Sequence, residues 1–147
     1  MAETRWTLSM VEERFEEAAD VMKRLPEVKV PGYFSTWPAV LHDFADLVEQ
    51  APRPLRRPRP GPDAVSRMEA TLGWLAWLEP GDAKLVWSRA EGTAWKMMCY
   101  RLGISRATAH RRWQYALSVI AWRLNDKRPP TKRSRRFVVE RVRQLSR

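Results

Sequence analysis

The residue types on which most catalytic and metal-binding sites are built are scarce in this chain of 147 residues. There is one cysteine, Cys99, and two histidines, His42 and His110. A lone thiol excludes an internal disulfide framework and fits a reducing compartment. Two distant histidines and a cysteine on an expected core face give no zinc-ligand spacing, so no metal is expected. Glycine is also sparse, six in all, and none are arranged as a phosphate-cradling loop. No Ser/His/Asp arrangement and no carboxylate cluster implying a pocket is present. The expectation is therefore no catalytic residue, no cofactor and no small-molecule substrate. No apolar run approaches the roughly eighteen residues that a membrane helix needs. No signal peptide is expected ahead of the first helix, so a soluble protein without a membrane partner is expected.

What is present is basic and aromatic. An apolar fraction of 44% with eight tryptophans supports a genuine core rather than wholesale disorder. The length suggests one domain, or a small domain with appendages. Net charge is +10, and it is unevenly placed. Residues 1–50 hold five Lys/Arg against ten Asp/Glu, whereas residues 51–147 hold twenty-two against seven. An acidic front joined to a strongly basic remainder points to polyanion binding by the latter.

The periodicity predicts an all-α fold. Residues 8–25 place Val11, Phe15, Ala18, Val21, Met22 and Leu25 at three- and four-residue steps, which is helical spacing. A loop rich in aromatics follows at 28–37, then a second helix over 38–50. Together these form an N-terminal helical hairpin, residues 1–50, expected to serve as an interaction surface. Residues 51–62, APRPLRRPRPGP, hold five prolines and four arginines, which favours an extended basic linker or arm. Further helices are expected at 63–78, 80–91, 93–102 and 106–124, within a helix-turn-helix domain over 63–125. Residues 126–147 read as a basic tail with a short docked or partner-induced helix, marked by Phe137, Val138, Val142 and Leu145. Trp122 falls off the apolar face of the long helix and needs a cover. The hairpin, the tail helix or a second subunit could each provide it.

Residues 93–117, TAWKMMCYRLGISRATAHRRWQYAL, carry the sharpest signal. A short helix meets Gly103, where a tight turn between crossing helices needs positive φ. Ser105 can cap the helix that opens on Arg106, and Thr93 is expected to cap the helix before it. Trp95, Met98, Cys99 and Leu102 should face Ile104, Ala109, Trp113, Ala116 and Leu117. The opposite side then presents Arg106, Ala107, His110, Arg111 and Gln114, of which arginine suits guanine and glutamine suits adenine. Lys96, Ser105 and Arg112 are candidate backbone contacts. Arg56, Arg57 and Arg59 in the linker, with Lys132, Arg133, Arg135 and Arg136 in the tail, are accessory phosphate contacts. A merely solvated helix face is the plainer alternative; the turn signature favours DNA. For the acidic run Glu12, Glu13, Glu16, Glu17 and Asp20, a solvated face is expected, with a basic partner as the alternative.

The segment running from LEPGDAKLVW to RRWQYAL, residues 78–117, resembles the fourth region of bacterial sigma-70-type factors. It is also similar to the SRAT-bearing helix-turn-helix units of resolvase-type recombinases. The shared elements are Pro80 opening the support helix, Leu102 to Arg106 at the turn, and Ala116-Leu117 closing the recognition helix. Arg112 departs from the pattern, standing where sigma-like units often place an apolar residue. The remainder is similar to small proteins encoded in prophages and related mobile elements of alpha-proteobacteria. The resemblance implies a sequence-specific DNA-binding protein, a phage or mobile-element transcriptional regulator, with double-stranded DNA as its partner and RNA polymerase a candidate second partner. Two alternatives stay open: a small terminase-like DNA-packaging subunit, and an accessory factor of a recombinase or nuclease. One unit presents few base-reading side chains, so a homo-oligomer or a protein partner is expected. The expected location is the bacterial cytoplasm, at the nucleoid.

Overall fold

A computed structural model describes residues 5–26, 57–126, 128 and 133–145. The helix expected over 38–50, the aromatic loop at 28–37, and Arg56, Lys132 and His42 lie outside the described residues. The described residues are all-α, in the order α1 (Leu8–Arg24), α2 (Pro62–Trp74), a single 3-10 turn (Leu75–Trp77), α3 (Pro80–Ala90), α4 (Trp95–Leu102), α5 (Arg106–Asp126) and α6 (Arg135–Leu145). None of these helices is long and apolar enough to cross a membrane.

Each helix begins and ends for a local reason. Thr7 caps α1, its hydroxyl accepting from the Met10 amide at 3.3 Å. Lys23 and Arg24 occupy the last turn, where cations suit the carbonyl end of the dipole. Pro62 and Pro80 open α2 and α3 at positions whose amides need no intrahelical partner. The helix expected to reach residue 78 instead tightens to the 3-10 turn after Trp74. Glu79 is extended, at ψ 149°, because a residue preceding proline is pushed out of the helical region, and Leu78 before it is extended as well, at ψ 156°. Thr93 does not cap α4. The cap position is Ala94, which offers no side-chain acceptor.

The helices close around α5. Val11 and Phe15 of α1, Val86 of α3, Ala116, Leu117, Ile120 and Ala121 of α5, and Val142 of α6 form one buried cluster. A second cluster joins Ala18 and Val21 of α1 to Met68 of α2. Thus α1, expected in a separate interaction hairpin, lends its apolar stripe to the core that holds α5. Met22, aligned with that stripe but in its last turn, remains 45% exposed. Asn125 staples the two ends together, its Oδ1 accepting from the Trp6 amide at 2.7 Å and its Nδ2 donating to the Trp6 carbonyl at 3.0 Å. Trp122 finds its cover in the tail: the Phe137 ring of α6 lies 6.3 Å away.

Candidate nucleic-acid interface

The corner between α4 and α5 is built on one glycine. Gly103 adopts φ 64° and ψ 33°, in the left-handed region. Its amide and that of Ile104 both donate to the Cys99 carbonyl, which closes the end of α4. Ser105 then caps α5, its Oγ accepting from the Thr108 amide at 3.2 Å. Three residues therefore turn the chain from one helix into the next. Met98 is buried under the corner, and Ala109 packs with no exposed surface.

That corner sets the amino-terminal half of α5 out into solvent. Arg106, Ala107, Thr108, His110 and Arg111 are exposed, while Gln114 is half-buried. Lys96, in the first turn of α4, is exposed as well. Arg106 and Arg111 form no ion pair with any described residue. The His110 ring stacks on Trp95 at 4.8 Å and 28°, and Trp113 meets Trp95 edge-on at 5.6 Å. The Arg89 guanidinium also lies over Trp95, 5.1 Å from its centroid. One face of His110 is thereby committed to holding α4 against α5.

Arg112, expected at a phosphate, is held by the protein's own acid. Its Nε and Nη2 lie 3.0 and 2.9 Å from Oδ1 of Asp82 in the first turn of α3. The Asp82 side chain is only 5% exposed, so the carboxylate would be left desolvated if Arg112 turned to DNA. Gly81 makes room for the pair: a Cβ there would stand 2.9 Å from Arg112 Nη2. Arg112 and Asp82 thus form a polar clamp between α3 and α5.

The accessory basic residues divide. Arg57 pairs with Asp20 of α1 at 2.7 Å, though both are well exposed and water screens the pair. Arg67 of α2 similarly holds Glu17, so part of the acidic run is paired within the chain rather than simply solvated. Arg59 is exposed. In the tail, Arg133 lies over Phe137 and Arg135 over Tyr115, at 5.1 and 5.2 Å from the ring centroids. Arg136 is exposed on α6. A groove of about 760 Å³ runs between α5 and α6, bringing Arg111, Arg112, Arg135 and Arg136 together with Arg143. Arg143 was missed by the sequence reading. Its signal was there, since it lies seven residues from Arg136 on the side of α6 away from Val138 and Val142.

A family model described as a domain of unknown function (DUF6362) matches residues 23–120, two thirds of the chain, and the chain belongs to that family. The match takes in the Gly103 corner and stops within α5, short of α6. No curated protein and no solved structure matches the chain.

Proposed function

We propose that this DUF6362 member binds double-stranded DNA sequence-specifically, with the amino-terminal half of α5 in the major groove, as a transcriptional regulator of a phage or mobile element. One observation carries the reading. The exposed turns of α5 present Arg106 and Arg111 without an acid among the described residues, on a helix whose other half is core. Arginine forks read guanine edges bidentately, and Gln114 at the margin of the same face suits adenine. The α5 N-terminus, with Ser105 and free amides in its first turn, favours a phosphate nearby. The resemblance to sigma region 4 supports regulation and makes RNA polymerase the candidate protein partner. Few base-reading groups on one unit imply a dimer or such a partner.

The test begins with duplexes selected from a randomised pool by the full chain. A salt-dependent mobility shift then compares wild type with Arg111→Ala. The variant should lose about 1–3 kcal/mol on the selected sequence and much less on a scrambled one. Unchanged binding by Arg106, His110, Arg111 and Gln114 variants would sink the reading. Light scattering separates the roles: a monomer or dimer fits regulation, whereas a large closed ring would move the assignment to DNA packaging.

A further inference from the structure

We propose that the groove between α5 and α6 is a phosphate site that holds one strand of the DNA backbone, in which Arg143 of α6 joins Arg136, a residue already expected at a phosphate, as a new contact. The inference rests on the DNA reading above and adds a second element to it. Arg136 and Arg143 stand two helical turns apart and line the groove together. The opposite side of α6 is anchored, since Val138 and Val142 have no exposed surface. The two guanidinium groups are therefore carried on a docked helix.

Charge makes the case stronger. Across the groove stands Arg111, and none of Arg111, Arg136 and Arg143 forms an ion pair with a described residue. Glu140, which lies between the two on α6, is not within ion-pairing distance of either. Like charges gathered in this way repel one another until an anion enters. Guanidinium forks match phosphate oxygens in geometry as well as in charge. The groove also opens onto the exposed half of α5 through Thr108 and Arg111. A continuous strand needs that exit; an isolated ion does not.

The experiment uses the full chain and a labelled duplex of arbitrary sequence, because backbone contacts carry no sequence information. Anisotropy titrations across a range of salt give the slope of log K against log[salt]. Arg136→Ala/Arg143→Ala should reduce the slope by about 1.8, two phosphates' worth. Arg136→Lys/Arg143→Lys should retain most of the slope, which separates charge from helix docking. Arg141→Ala, exposed on α6 but outside the groove, should leave it unchanged. An unaltered slope in the double alanine variant, with wild type still binding, overturns the groove assignment alone. So does an equal drop per charge from Arg141→Ala. Saturable binding of inorganic pyrophosphate, abolished by the double substitution, would give the groove to a free phosphate ligand instead. Wild type that fails to bind any duplex overturns the DNA reading itself.

Discussion

The two halves of α5 share one backbone and live in different solvents. From Arg106 to Arg111 every residue but Ala109 is exposed, whereas Ala116 to Ala121 are buried without exception. Six consecutive buried residues mean that the helix is enclosed on all sides, here by α1, α3 and α6. Even Ser118 is fully buried in that stretch, its hydroxyl donating to the Gln114 carbonyl at 2.7 Å. A helix is stiff over a few turns, so the enclosed half fixes the direction of the free half. The exposed turns pack through Ala109 and the His110 ring, which leaves the Arg106 and Arg111 side chains free to serve a ligand.

The sharpest way to break this comparison is to substitute each half and measure stability. Leu117→Ala should cost about 2–5 kcal/mol in urea unfolding, through lost transfer energy and the cavity left behind. Arg111→Ala should stay within about 0.5 kcal/mol, because an exposed side chain without a partner holds nothing. Comparable losses from both would show that the exposed half is structural.

Arg112 stands at the border between the halves and sharpens the contrast next. Removing its side chain strands the Asp82 carboxylate in the interior. For a fully buried pair that costs about 3–5 kcal/mol, but the Arg112 side chain is 25% exposed, and about 2 kcal/mol is expected. Arg112→Ala should therefore lower the unfolding midpoint while leaving the salt dependence of the proposed DNA binding almost unchanged. A clear fall in the salt slope at constant stability would return Arg112 to the phosphates.

These residues also show what the sequence could and could not convey. Period and punctuation placed α1, α3 and the Gly103 corner to within a residue or two, since proline, glycine and apolar spacing act locally. The same logic carried the helix past Trp74 to residue 78, through what is a 3-10 turn, and it placed the cap of α4 at Thr93 on side-chain chemistry alone. The partner of Arg112 lies thirty residues earlier, and only the crossing of α3 and α5 reveals it. Trp122 announced that it needed a cover without saying which element supplied it. Arg143 was legible as a helical repeat of Arg136, but the groove that unites them with Arg111 depends on how α6 docks.

A smaller effect is expected at the corner that joins α4 to the exposed half. Gly103→Ala meets no atom within 4 Å of the added Cβ, so its cost is backbone strain alone. Holding alanine at φ 64° should cost about 1–2 kcal/mol. Thermal unfolding should register that loss, and Gly103→Asn should be milder, because asparagine tolerates the left-handed region better. Equal stability of all three would mean that the turn relaxes to another conformation, and under the proposed function DNA affinity should then fall with it.

The smallest effect concerns Glu12, which faces the junction of the two halves beside Trp113 and Leu117. Burial raises its pKa above the ordinary carboxyl value, and the neighbouring Glu16 and Glu13 carboxylates add to the rise, while Arg89 and His110 oppose it. A raised pKa in the folded state means that folding favours the protonated form. The unfavourable contribution is therefore absent below the ordinary carboxyl range, grows as pH rises through it, and is complete above the raised value. Glu12→Gln should gain stability over wild type at about pH 7, and the gain should vanish towards about pH 3, where both side chains are neutral. Urea unfolding at the two pH values measures the difference. A variant that is less stable than wild type at neutral pH would mean that the attraction of Arg89 outweighs burial, and that the carboxylate helps to hold α1 against the enclosed half of α5.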